Sequence, residues 1–383
     1  MPRNPSFYRK ALRTCAISLA ASITLNLTGC AWLQDFRDSN PGIQLSELKA
    51  PAGFKVQVLA TNLPQARHLA MGTEDNLFVG SSKGDICAVK LNPAHTAALS
   101  QRVILTGLKN SSGVAFLDGS LFVADHTRIL RFDGIEQRLA APGPAIPVLQ
   151  GLPDKDRHSA HAMGIGPDRK LYVSIGSPCD ICEPAADEYG VIVSLQRDGS
   201  GKQVVARGIR NSVGFDWNPR NGELWFTDNG QDNLGIQQPN DELNHVTQVG
   251  QHFGFPYCHD ANVPDAEFGP RRDCATMTKP ALGLGPHVGA LGMAFYRTPG
   301  NDSDTSIIVA RHGSHPPTRV GYDVVRIRVA DNGRLLMEPF LTGFLQGQRY
   351  WGRPVAVLAM KDGAVLISDD LNGAIYRVAP VGR

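Results

Sequence analysis

The sequence predicts an all-β chain folded as a six-bladed β-propeller, on three observations. Six segments share one hairpin plan, most of them are followed by another alternating apolar run, and no stretch beyond the N-terminal leader keeps a helical period long enough to compete. The six read, in order, "ARHLAMGTEDNLFVGSS", "SSGVAFLDGSLFVADH", "AHAMGIGPDRKLYVSIGS", "SVGFDWNPRNGELWFTDNG", "ALGMAFYRTPGNDSDTSIIVARHG" and "PVAVLAMKDGAVLISDD". Each has a small or apolar lead-in, a turn rich in Asp, Asn or Gly, and a strand ending in small or polar residues.

Runs such as "GDICAVKL", "RILRFDG", "GVIVSLQRDG", "DVVRIRV" and "AIYRVAP" read as further strands of the same units. Six four-stranded units in radial array leave only short, protected sheet edges. "LKAPAGFKVQVL", Leu48 to Leu59, is a candidate for the strand that closes the ring against the last blade. A two-sheet sandwich is the competing architecture, but it does not call for six near-copies of one hairpin. The 40 Gly and 26 Pro among 383 residues fit a chain that turns often.

The N-terminus reads as an address. Arg3, Arg9, Lys10 and Arg13 precede "AISLAASITLNL", an apolar run too short and too polar for a comfortable membrane span. "LTGC" then resembles the lipobox of bacterial lipoproteins, which implies lipid on Cys30 and cleavage just before it. The expected organisation is a lipoprotein signal peptide over residues 1–29, a tether over 30–47 and the propeller over 48–383. Ala31 in place of an aspartate points to the outer membrane, with the folded part in the periplasm. A formal net charge of +2 offers no basic surface for nucleic acid.

Seven cysteines are read in that compartment, where disulfides persist. Cys258 and Cys274 bracket a long polar loop and are expected to staple it. Cys179 and Cys182 are spaced C-x-x-C and leave three readings open: a local disulfide, a metal site or a redox pair. With no second C-x-x-C and no surrounding βαβ pattern, a loop staple is the plain one.

Propellers bind ligands at the mouth of the central channel, so polar residues just before each inner strand and just after the next strand deserve scrutiny. His158, His161, Arg210, Asn211, Arg311, His312 and Arg353 fall there. Five blocks in register, "HSAHAMGIGPDRKLYVSIGS", "ARGIRNSVGFDWNPRNGELWFTDNG", "NDELNHVTQVGQHFGFP", "VARHGSHPPTRVGYDVVRI" and "GRPVAVLAMKDGAVLISDDLNGAIYRV", resemble the soluble pyrroloquinoline-quinone (PQQ)-dependent glucose and sorbosone dehydrogenases, the aldose sugar dehydrogenase-like enzymes. The resemblance covers nearly the whole chain after residue 50.

That resemblance implies PQQ-dependent oxidation of an aldose- or sorbosone-like sugar, with electrons passed to an external acceptor. It gives His158 the role of general base, an apt one for an imidazole at neutral pH, and places His161 as a supporting or substrate contact. It gives Arg210 the stabilisation of charge on the quinone oxygens. Asn211, Arg311, His312 and Arg353 become cofactor contacts, with the alignment ambiguous between Arg311 and His312. A calcium ion is implied at the carbonyls of Gly230 and Gln231 and at Glu242, hard oxygen donors that suit calcium.

Two departures from the family pattern stand out. Ser177 occupies the position of the aspartate that orients the catalytic histidine, with Asp180 as a possible substitute. Trp351 replaces an arginine and offers a stacking surface in its place. These departures keep two rivals in view: a ligand-binding propeller of the cell envelope without catalysis, and a calcium-dependent lactonase-type hydrolase.

Overall fold

The structure, a computed structural model, describes residues 42–298, 300–314, 318–330 and 332–382. The signal peptide, Cys30 and most of the tether lie outside the described residues. Packing against the propeller begins ahead of residue 48: Ile43 and Leu48 lie on the core of the last two blades, flanking a single 3-10 turn, Leu45–Glu47.

Six sheets form the ring, as expected: each has four antiparallel strands, and blade three carries a fifth, short strand added in parallel. Their inner strands are Ala66–Met71, Val114–Leu117, Met163–Ile165, Phe215–Trp217, Ala290–Thr298 and Pro354–Ala359, heading blades one to six. Phe54–Ala60 supplies the outer strand of blade six, paired antiparallel from Phe54↔Pro380 to Ala60↔Ile375. The two ends of the propeller thus share one sheet, which leaves no open blade edge at the closure.

Second strands such as Asn76–Ser81, Ser120–Asp125 and Val365–Asp369 are buried along their whole length. Each is covered on both faces by neighbouring blades, so these strands read as continuous apolar runs. The outer strand Ala98–Leu105 faces water and carries polar residues. Between the last two strands of blade four the chain makes its longest excursion. It adds Gln251–His252 in parallel to Gln203–Arg207 of blade three and is stapled by the Cys258–Cys274 disulfide.

Near the axis the blades press together. Gly292 has no room for a side chain: a Cβ there would lie 2.6 Å from the Ala356 Cα of the next blade. Val213, Leu291 and Val355 from blades four, five and six form an apolar plug. His68 of blade one reaches across to donate from Nε2 to the Val213 carbonyl at 2.8 Å. These contacts tie blades one, four, five and six together near the axis.

At the end where the inner strands begin, every junction between blades carries a polar contact. The His68 amide donates to the Ser112 carbonyl at 3.3 Å, and the His161 ring meets the His126 carbonyl at 2.8 Å. The Ser177 backbone amide donates to the Arg210 carbonyl at 2.8 Å, and the Asn229 side-chain Nδ2 donates to the Ala290 carbonyl at 2.6 Å. His312 meets Asp370 at 3.1 Å, and Arg67 meets Asp370 at 3.0 Å. This closed circuit defines one mouth.

Candidate functional site

His158 ends the loop before the inner strand of blade three, with a left-handed backbone (φ 55°). That conformation is uncommon for a residue with a side chain and is tolerated where surroundings enforce it. Gly176 makes the room: a Cβ there would lie 2.5 Å from the His158 Cβ and 3.3 Å from Asn211 Oδ1. The imidazole Nδ1 lies 2.8 Å from the Ser177 carbonyl oxygen. A carbonyl only accepts, so Nδ1 carries the proton and Nε2 keeps a free lone pair. Burial and the charge of Arg210 push the His158 pKa down to about 4, so the ring is neutral at neutral pH.

Arg210 is 4% exposed at the blade three to four junction. Its Nε donates to the Asp180 carbonyl at 2.9 Å, Nη2 pairs with the Asp180 carboxylate, and Nη1 donates to the Asn229 carbonyl at 3.3 Å. The guanidinium is a fixed positive charge. Asp228 accepts from the backbone amides of Arg210 and Asn211 at 2.9 and 2.6 Å, which locks both residues to blade four. Asn211 Nδ2 donates to Asn229 Oδ1 at 3.1 Å.

Beneath Arg210 lies a cavity of about 10 Å³, lined in part by Asp228, Asn229, Gly230, Glu242 and Asp260. Asp228 and Glu242 face each other as strand partners. Burial raises the pKa of both; the charge of Asp228 adds to the effect on Glu242, and that of Asp241 to the effect on Asp228. Gly230 lines this cavity, whereas the Gln231 side chain turns to His259 and Asp265 at 3.0 and 3.4 Å.

The opposite arc of the mouth converges on Asp370, which follows the second strand of blade six. Arg67 Nη1 donates to it at 3.0 Å, Arg353 Nε at 2.9 Å, and His312 Nε2 lies 3.1 Å away. Although burial alone would raise it, those three neighbours hold the Asp370 carboxyl well below the usual range. Arg67 Nε is buried and has no partner. Two guanidinium groups thus gather on the Asp370 carboxylate, with Asp369 behind it accepting from the Arg353 amide at 3.1 Å.

Four expectations need correction. Arg311 and His312 do not share the arc: Arg311 makes a bidentate pair with Asp323 at 2.7 and 2.6 Å and also binds the Leu284 carbonyl, while His312 turns to Asp370. Adjacent residues at a strand end point to opposite sides. Trp351 is 2% exposed and donates its indole N–H to the Gly343 carbonyl at 2.7 Å, so it is core and offers no stacking face. His161 is 2% exposed, held between the Ser174 and His126 carbonyls as a clamp joining blades two and three. Asp180 does not reach the His158 ring; its carboxylate goes to Arg157 and Arg210. The C-x-x-C pair, left open above, is a disulfide.

Sequence reasoning missed Arg67 and Asp370. A signal was present, since "ARHLAM" places Arg67 at a strand lead-in like that of Arg353, and Asp370 follows "LISD" as His312 follows "IIVAR".

Residues 48–380 match the profile of the family described as TrAA12-like. The chain belongs to the TrAA12-like family. This TrAA12-like chain is 31% identical to an uncharacterized protein of Borreliella burgdorferi, across 87% of the chain and 91% of that relative. Its fold is shared with a Trichoderma reesei carbohydrate-active enzyme of family AA12, with a TM-score of 0.76 at 18% identity over 87% and 97% of the two chains. It is also shared with the PQQ domain of a Coprinopsis cinerea pyranose dehydrogenase, with a TM-score of 0.72 at 17% identity over 87% and 97%. The PQQ-bound aldose sugar dehydrogenase of Streptomyces coelicolor gives a TM-score of 0.63 at 19% identity over 86% and 99%. The expected kinship with PQQ-dependent sugar dehydrogenases therefore holds at the level of fold.

Proposed function

We propose that this TrAA12-like protein is a PQQ-dependent dehydrogenase that oxidises an aldose- or sorbosone-like sugar and hands electrons to an external acceptor. The observation that carries the reading is the His158 ring, neutral and with Nε2 free, beside the buried guanidinium of Arg210.

The residues present fit both groups. A tricarboxylate quinone would meet the guanidinium groups of Arg67 and Arg353, and the unpartnered Arg67 Nε is a donor that an anion satisfies. His312 and Asn211 are the further contacts, and Arg311 is set aside by its pair with Asp323. Glu242 and the Gly230 and Gln231 carbonyls are the oxygen donors that would hold a hard dication, which would also offset the repulsion between Glu242 and Asp228. PQQ supplies the hydride acceptor. His158 Nε2 takes the sugar hydroxyl proton, while the Ser177 carbonyl keeps the ring in the required tautomer. Arg210 would supply the positive charge that a quinone bound beside it needs on being reduced.

Localisation follows from the leader: the reading is of a protein lipidated at Cys30 and held at the periplasmic face of the outer membrane. A non-catalytic binding propeller is the second reading, favoured by a backbone carbonyl where a carboxylate would better stabilise an imidazolium. Purified apo-protein is titrated with PQQ and calcium and assayed for dye reduction with a panel of aldoses and sorbosone. Dye reduction that requires PQQ supports the enzyme; PQQ binding without reduction supports the binding propeller. Lactone hydrolysis without PQQ binding overturns both.

A further inference from the structure

We propose that Asp180, held in the Cys179–Cys182 loop, is a positioning residue that couples the His158 loop to Arg210 without touching the imidazole itself. The kinetic part of this inference rests on the proposed function; the structural part does not.

The segment from Ser177 to Cys182 touches both groups. The Ser177 carbonyl accepts from His158, and its amide donates to the Arg210 carbonyl at 2.8 Å. Ser177 Oγ lies 3.2 Å from Cys179 Sγ, so the disulfide begins against the residue that orients the imidazole. Next in the chain after Cys179, the Asp180 carboxylate accepts from Arg157 at 3.0 Å, from Asn233 Nδ2 at 2.7 Å and from Arg210, while its carbonyl takes Arg210 Nε at 2.9 Å. Arg157 precedes His158 in the chain. One carboxylate thus ties the loop of blade three to the guanidinium of blade four.

Its burial makes the tie more than a surface ion pair. The Asp180 side chain is 16% exposed, whereas Asp232, which also meets Arg157 at 2.9 Å and Arg210 at 3.4 Å, is 57% exposed and more strongly screened. The charged groups facing His158 are Arg210, Arg157 and Asp180, and only Asp180 favours its protonated form. A base whose conjugate acid has no anion nearby is a weak proton acceptor, and Asp180 supplies that anion at one remove.

The test compares wild type, Asp180→Asn, Asp180→Asn with Arg157→Gln, and Cys179→Ala with Cys182→Ala. The His158 imidazole is titrated by NMR in apo-protein, and thermal midpoints verify folding. The Asp180→Asn change is expected to lower the His158 titration by about half a pH unit, and adding Arg157→Gln to move it back up. Opening the loop by Cys→Ala is expected to mimic Asp180→Asn, with no further shift when the two are combined. In PQQ-loaded protein, Asp180→Asn should lower kcat about tenfold with sugar KM little changed. An unchanged His158 titration in folded Asp180→Asn protein overturns the inference, as does an unchanged kcat in an active enzyme. Shifted titrations together with a wild type that never reduces dye leave the coupling intact and sink the proposed function instead.

Discussion

Arg67 and Asp370 lie 3.0 Å apart although 303 residues separate them in the chain. Their pairing spans the closure between the first and last blades, and it brings in Arg353 and His312 as further partners of the same carboxylate. Blade closure and construction of this arc are one event. A chain whose last blade failed to dock would lose the arc as well as the ring.

Arg67→Gln tests that arc. Loss of one guanidinium should weaken PQQ binding to apo-protein about tenfold, with the deficit shrinking as salt is raised because part of the attraction is screened. Quenching of intrinsic fluorescence by PQQ measures it. Equal affinities in wild type and variant would remove Arg67 from the pocket.

His158→Gln is expected to cut kcat roughly 100- to 10,000-fold while PQQ affinity stays within about twofold of wild type. The acid limb of the wild-type rate should lie near pH 4 rather than 6.5, because burial and Arg210 hold the imidazole neutral down to that pH. A limb near 6.5, or parallel loss of binding and turnover, would assign the base elsewhere.

Calcium should stabilise the apo-protein. At 100 times its dissociation constant the ion adds about 2.7 kcal/mol to unfolding, read as a rise in thermal midpoint over chelator-stripped protein. Glu242→Gln should abolish most of that rise. The same rise in both proteins would place any calcium site away from Glu242.

His68 makes stability depend on pH. Burial lowers its pKa to about 4, below the unfolded value of 6.5, so the fold favours the neutral ring. Its contribution is complete above pH 6.5 and is lost as pH falls from 6.5 to 4, about 3 kcal/mol in all. Denaturant unfolding at pH 7 and pH 4.5 should show a smaller acid loss in His68→Gln than in wild type, and identical losses would refute this assignment.

Much of the fold was legible because each blade repeats the same local chemistry. "LYVSI", "LFVAD" and "VLISD" are strands wherever they occur, since a run of apolar and β-branched residues buried on both faces suits no other local structure here. The closing strand Phe54–Ala60 was legible for the same reason. Resemblance also singled out His158, Arg210 and Glu242 for scrutiny. What one-dimensional reading lacked was direction: Trp351 looked like an exposed platform, and Arg311 looked equivalent to His312.

Sequence alone determined six hairpins, their strand order and the polar residues at the strand heads, because alternation and turn chemistry act over a few neighbouring residues. Tertiary structure alone decided who meets whom: Asp180 with Arg210 rather than His158, Arg311 with Asp323, and Arg67 with Asp370. Those pairings depend on the angle between blades and the depth of each side chain, quantities set by packing across the ring axis. No local pattern of residues encodes them.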